Sequence, residues 1–460
     1  MKQIISFSKG LNQGIDESVL PVDYASLMYG FECKSGALKL KYFMKDNSCF
    51  SASVLAEVNE LEEIKRLFYF KKYDNVNNSN ADKLIIIDGD LSVHYIELFD
   101  DNQSLVSLGI TFNAVPEGVS YRLNGEDVFI FASESDSMVV WDGTNSPYSV
   151  LDAPKITSMA LHNERLFVSS SENKNRLWFS DDLDPTNWNI SMEDAGFIDM
   201  YDERGAIVKV LSFNGYLYIF RDYGISRLSA SGGQEGFYLN HLFVSAGKIY
   251  EKTISLCGDR VIFAASDGIY SFDGLTTVKI LNGVYPLLSG YDEGNSAFYN
   301  GKYYLTCKGD FDGVTDNVIF LYEVKDKKFV VLRGENVTSM TVINSGDFDS
   351  LVLNNAKTTP NLCEIADFSV SEEDKIVFSG LWKHGLSDFG DPVHDKTIRA
   401  VHIVSNVNLV LKIFSEREET SINIVPGVYS YPCILSGRKF GFAISCDSLG
   451  AVVSDLVIMY

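Results

Sequence analysis

Apolar and polar residues along this chain alternate in short runs, and the runs are cut by turn signals at close intervals. The pattern is sharpest from Thr253 to Ile280, TISLCGDRVIFAASDGIYSFDGLTTVKI. Four apolar runs, Thr253–Leu256, Val261–Ala265, Ile269–Phe272 and Thr277–Ile280, are separated by Gly258-Asp259, Asp267-Gly268 and Asp273-Gly274. Gly and Asp suit two-residue hairpins, because such turns need positive φ. Four strands joined by three tight turns make one antiparallel meander, the size of a single β-propeller blade.

The same grammar recurs. Val119–Gly143 carries turns at Asn124-Gly125 and Asp142-Gly143. Val210–Ala230 carries them at Asn214-Gly215 and Tyr223-Gly224, and Ser296–Leu332 has Asn300-Gly301 in the same place. In Ile156–Trp178 the pair His162-Asn163 takes the turn, and weaker copies begin near Leu67 and Met340. Five clear copies and two degenerate ones, spaced about 39 to 52 residues apart, match the period of a propeller.

Outside the repeat the pattern changes twice. Residues 1–55 read as an extended arm, LNQGIDESVLP, followed by a hairpin around Lys34-Ser35-Gly36, which either adds to a sheet edge or closes a propeller ring. Residues 56–370 hold the propeller. A charged linker around 368–376, with Glu372–Lys375 reading EEDK, leads into 371–460, where longer alternating strands predict a β-sandwich or jelly-roll domain. The fold class is therefore all-β, a propeller of four-stranded antiparallel blades with an N-terminal arm and a C-terminal sandwich.

Composition sharpens this picture. Tyr (24) and Phe (30) are abundant, which favours strands over helices. The net charge is −23, with 39 basic against 62 acidic residues and no basic stripe, so strong binding to nucleic acid or anionic membrane is not expected. The seven Cys are scattered with no CxxC, and they read as free thiols of a protein made in a reducing cytosol. No apolar run approaches the length that spans a membrane.

Candidate chemistry is sparse. No nucleophile elbow, HExxH, phosphate loop or dinucleotide fingerprint occurs, so no enzyme activity and no cofactor are expected. His384 and His394 share one stretch and read as exposed loop histidines. Asp310, Asp312 and Asp316 carry oxygen ligands for calcium, but Gly313 stands in the wrong place for an EF-hand loop, and a solvated hairpin tip is the preferred reading. Between two repeats lies NRLWFSDDLDPTNW, where Trp178, Asp181, Asp182, Asp184 and Trp188 form a candidate interface loop; a connection pinned by its own aromatics is the plainer reading.

Three phrases carry a resemblance. They are GLNQGIDESVLPVDYASLMYGFECKSGALKLKYF at the N-terminus, then NRLWFSDDLDPTNW…FIDM with LSFNGYLYIFRDYGISRLSASG and VIFAASDGIYSFDG, and finally LSDFGDPVHDKTIRAVHI…SGRKFGFAIS…VVSDLVIMY. Together they resemble the tail nozzle, or tail tubular, proteins of short-tailed bacteriophages. The resemblance implies a structural virion protein, assembled in the host bacterial cytoplasm and built into the virion tail. It further implies a ring, a hexamer in that family's manner, around the DNA exit channel, with an adaptor or portal-side ring protein and tail fibres as partners. Phage DNA would pass through without tight binding, held back by polar loops. The candidates for that gate are Tyr73, Asp74, Asn77, Asn78 and Asp82 in one segment, Glu172 and Asn173 in a second, and Asp310, Asp312 and Asp316 in a third. A host-surface glycan-binding tail module is the alternative, and a propeller-type glycan hydrolase ranks last.

Overall fold

A computed structural model describes residues 1–191, 194–346, 349–367 and 375–460. Strands take 56% of the chain and helix 5%, which makes the protein all-β. Seven antiparallel sheets follow one another along the chain and form the blades of a β-propeller. Blades 1 to 6 cover 64–111, 117–150, 156–199, 207–244, 255–280 and 288–333. Blade 7 takes three strands from 337–367 and a further strand, Tyr42–Asp46, from the other end of the chain. The five clear and two degenerate copies of the repeat correspond to these seven sheets.

The blades stack because each sheet is apolar on both faces. The core of a blade's second strand is buried on both faces, as in Arg165–Ser170 and Val261–Ala265, so it reads as a continuous run. A separate apolar cluster fills the space between neighbouring blades. Phe68, Phe70, Phe129, Phe131 and Trp141 join blades 1 and 2, and Phe220, Phe263 and Phe272 join blades 4 and 5. Ile64, Leu84, Ile343 and Val352 join blade 7 to blade 1 and complete the ring.

Hydroxyl side chains on the inner strands stitch the blades together. Ser158 Oγ accepts from Val210 N (3.1 Å) between blades 3 and 4, and Ser339 Oγ accepts from Leu67 N (3.0 Å) between blades 7 and 1. The closing interface therefore uses the same device as an internal one.

The turns show why Asn-Gly recurs. Asn124-Gly125, Asn214-Gly215 and Asn300-Gly301 all hold both residues at positive φ, the geometry that matches the twist of a hairpin. Two readings shift by one residue. In blade 3 the turn is Asn163-Glu164, with His162 ending the strand. Gly224 and Gly268 begin strands instead of centring turns; a Cβ on Gly224 would run into the Phe243 carbonyl, so the glycine answers a close approach of backbone.

Residues 1–55, expected as an arm and hairpin of their own, are divided between the two other units. Tyr42–Asp46 completes blade 7, while Lys2–Ile5, Leu27–Tyr29, Glu32–Lys34 and Ala37–Leu40 enter the two sheets of the C-terminal sandwich. These strands carry the same alternation as the rest, and a sandwich edge buries them better than solvent would. The sandwich edge rests on blade 6, where Gly30 N donates to Val331 O (2.7 Å) and Lys383 Nζ meets Asp312 Oδ2 (2.8 Å). One apolar cluster runs from Ile262 of blade 5 and Leu305 of blade 6 through Phe7 and Phe31 to Trp382 and Phe442 of the sandwich. The boundary at 371 and most of the linker around 368–376 lie outside the described residues.

Candidate functional site

The inner strands of the blades are Ile64–Phe70, Glu117–Leu123, Ile156–His162, Ile207–Phe213, Ser255–Cys257, Asn295–Tyr299 and Val337–Asn344. Their starts gather at one end of the propeller axis. In blades 3, 4 and 7 the register shifts near the start of the inner strand, between Ile156 and Ser158, Ile207 and Lys209, and Val337 and Ser339. Such bulges re-aim the side chains that follow.

Four charged groups converge there from different blades. Arg66 of blade 1 donates through Nη2 to both carboxylate oxygens of Glu117 of blade 2, at 2.9 Å each. Lys209 of blade 4 donates to Ile254 O (2.9 Å) ahead of blade 5. Glu251 sits on the turn Glu251–Thr253 that enters blade 5. Burial pushes the Glu251 carboxyl up to about 7, the Glu117 carboxylate adds to the rise, and Lys209 and Arg66 oppose it. Burial likewise lowers the Lys209 ammonium from its ordinary value.

Beside this cluster opens a cleft of about 560 Å³ between blades 1, 6 and 7 and the entry to blade 5. Its walls carry Glu63, Lys65, Lys252, Asp292, Lys308 and Glu335. Two ion pairs already satisfy part of these charges, Lys65 with Glu63 (2.5 Å) and Lys357 with Glu335 (2.7 Å), and Lys308 Nζ donates to Asn317 Oδ1 (2.7 Å). The cleft therefore offers fixed dipoles for recognition; Glu251 does not line it, and belongs to the axial cluster beside it. Among the described residues no group of three or more His, Cys, Asp or Glu is arranged to hold a metal ion.

The segments expected as strand-free gate loops are structured. Tyr73–Asp74 pairs with Ser79–Asn80 as a small hairpin. Asp74 Oδ1 accepts from Val76 N (2.8 Å) and Asn77 N (3.1 Å), Asn78 takes φ 53°, and Tyr73 OH donates to Asn78 Oδ1 (2.6 Å). Asp82 is buried, accepting from Tyr69 OH (2.7 Å) and Lys72 N (2.8 Å), so it braces blade 1 and lies away from any loop tip. Around Glu172 and Asn173 a true loop remains, held by Ser171 Oγ to Glu134 O (3.0 Å) and Asn173 Nδ2 to Tyr201 OH (3.1 Å).

The third segment is a long hairpin of Lys302–Phe311 and Val314–Glu323, turning at Asp312-Gly313. Its acids part company: Asp310 accepts from Gly313 N (2.6 Å), Asp312 pairs with Lys383, and Asp316 pairs with Arg333 (2.8 Å). The three do not form a ligand set. Strand alternation puts the second and third segments at the end of the propeller where the inner strands start, and the Tyr73–Asn80 hairpin at the opposite end.

In the candidate interface loop the aromatics are internal. Trp188 is buried with Nε1 donating to Pro185 O (3.0 Å), and Trp178 packs on Phe197 with the Arg176 guanidinium over both rings. Asp181 accepts from Asn187 Nδ2 (3.1 Å) and Asp184 from Thr186 N (2.9 Å), while Asp182 and Asp194 flank the buried Arg165 at 3.9 and 3.6 Å. Leu183, at φ 60°, and its neighbour Asp182 are turned to solvent. His384 is fully buried in the strand Gly380–Ser387, bonded through Nδ1 to Tyr24 O (2.9 Å), whereas His394 is exposed beside Asp391; the pair does not meet. Sequence reading missed the axial charges, because each looks like an ordinary surface ion on its own strand.

Neither a search of family models nor one of curated proteins found a match. Among solved structures the chain is similar to β-propellers. The BBS1N chain of a complex with ARL6DN is 10% identical, with 74% of this chain and 98% of that chain covered at a TM-score of 0.42. The WD40 domain of Neurospora crassa Pan2 is 8% identical, with 72% and 97% covered at 0.43. The β-propeller domain of Myceliophteria thermophila Cps50 (Swd1) is 15% identical, with 57% and 84% covered at 0.39. The likeness is one of fold.

Proposed function

We propose that this chain is a structural virion protein of a bacteriophage tail, a nozzle subunit that forms a ring around the DNA exit channel. The observation that carries the reading is the way residues 1–46 tie both units together: one segment closes the propeller and builds the sandwich, and a single apolar core runs between them. A subunit made this way transmits load as one body. The three phrases that resemble tail nozzle proteins suggest the biological setting. The surplus of acidic residues, 62 against 39 basic, suits a wall past which DNA slides, because few cations are present to exchange for counterions on the phosphates. Retention of the genome then falls to a steric constriction, with the Tyr73–Asn80 hairpin, the Glu172–Asn173 loop and the turn at Asp312-Gly313 as its candidate parts. The host-glycan alternative finds no aromatic ring in the cleft beside the axial charges, while a second cleft, between blades 6 and 7, is lined by Tyr42, Tyr299 and Tyr304.

Two measurements test the proposal. Native mass spectrometry of the purified chain is expected to give a closed homo-oligomer; a monomer at all concentrations overturns the ring. A gel shift with duplex DNA at low salt is expected to show no complex, and a strong, salt-sensitive shift overturns the acidic conduit.

A further inference from the structure

The sandwich has one sheet whose outer face is uncovered. It contains Ser430–Gly437, Lys396–Ser405 and Ala451–Met459, with Lys2–Ile5 and Ala37–Leu40 along the far side. The inward residues, among them Ile5, Val401, Ile403, Leu435, Leu456 and Ile458, are buried. The outward rows follow from register. Ile4 lies opposite Val457, which lies opposite His402, and Lys2 opposite Met459, Ala400 and Pro432.

On a sheet that faces water this side should be polar. Here Ile434 is 85% exposed on the edge strand, Ile4 56%, and Met459 and Val452 about a third, with Val428 and Tyr429 bare at the adjoining turn. A contiguous apolar patch on an open edge marks a surface that is covered in use.

The charges say by what. Lys2, Lys39 and Arg399 lie on this face against two acids, Asp455 and Glu32, of which Glu32 is already paired with Lys41, and neither Lys2 nor Arg399 has an ion pair among the described residues. The chain as a whole carries −23. We propose that this face is the contact by which one copy of the chain packs head-to-tail on an acidic face of the next. Two such faces meeting each other would set Lys2 and Arg399 against their symmetry mates. A heterologous contact instead brings the cations to the surplus acid, and repeated contacts of that kind make a ring when their rotation closes. The inference deepens the ring reading above by naming its contact surface.

The test compares wild type with Ile434→Asp/Arg399→Glu by sedimentation velocity and native mass spectrometry. Both positions are exposed, so circular dichroism and melting should not change. Wild-type assembly should weaken as salt rises, and the double variant should weaken self-association by at least about ten-fold. Val278→Asp, on the exposed outer strand of blade 5, should assemble as wild type does. If the double variant misfolds, the milder Ile434→Ser/Arg399→Gln carries the same expectation. A folded variant that assembles normally overturns this face and leaves the ring standing. A wild type that never self-associates overturns both. A monomer that co-sediments with phosphatidylserine vesicles through this face makes it a membrane contact and overturns the proposal as well.

Discussion

Met44→Ala is expected to lower the free energy of unfolding by about 2–5 kcal/mol, the range for truncating a large buried side chain that leaves a cavity. Met44 is fully buried and lies at the middle of the closing strand. It stands opposite Ile365 on one side and Ile376 on the other, and packs into the cluster shared by blades 6 and 7. The effect should reach beyond that cluster. The strand Tyr42–Asp46 pairs with residues more than 300 positions away, and without it blade 7 loses its fourth strand and the support of its outermost one, Ile376–Val377, and blade 1 loses a firm neighbour. Chemical denaturation followed by tyrosine and tryptophan fluorescence should therefore show one displaced transition. Val278→Ala, on the exposed outer strand of blade 5, should change stability by no more than about 0.5 kcal/mol. Equal, small effects at the two positions would mean that the N-terminal strand does not hold the ring closed.

The repeat was legible because its signals are local. Two residues such as Asn214-Gly215 fix a hairpin by their own φ preferences, and a run such as VIFAA is buried on both faces wherever it lies. The placement of residues 1–46 was not legible, because a strand's alternation gives its two faces and says nothing about which distant edge it joins. Ala37–Leu40 and Tyr42–Asp46 are separated by Lys41 alone, yet they enter different units. The acids at 310, 312 and 316 show the converse error. Polar composition reads as loop, but Asp310 and Asp316 lie on paired strands, on opposite faces of the hairpin, and draw their partners from Gly313 and Arg333. Trp188 was ambiguous in sequence for a similar reason: a Trp after a turn packs inward whenever its indole N–H finds a carbonyl, here that of Pro185.

The axial charges give the second expectation, a pH-dependent gain from Glu251→Gln. The folded protein holds this carboxyl at about 7, above its ordinary value of 4.5, so the native state binds the proton more tightly than the unfolded chain. Stability from this group is fully present below the unfolded value and is lost as pH rises toward the folded one. Wild type should thus become less stable between about pH 5 and pH 8. Gln copies the protonated form and abolishes the titration, and the attraction of Lys209 for the carboxylate is already counted in the net rise. At pH 8 the variant should be more stable by about 1–2 kcal/mol; a shift of this size gives a ceiling of roughly 3 kcal/mol, which water at the end of the propeller axis reduces. At pH 4.5 the two proteins should unfold together. Denaturation series at both pH values check the sign: a variant that is less stable than wild type at pH 8 would show that Glu251 serves as the needed counter-charge of Lys209 and that the axis is held together by a charged pair.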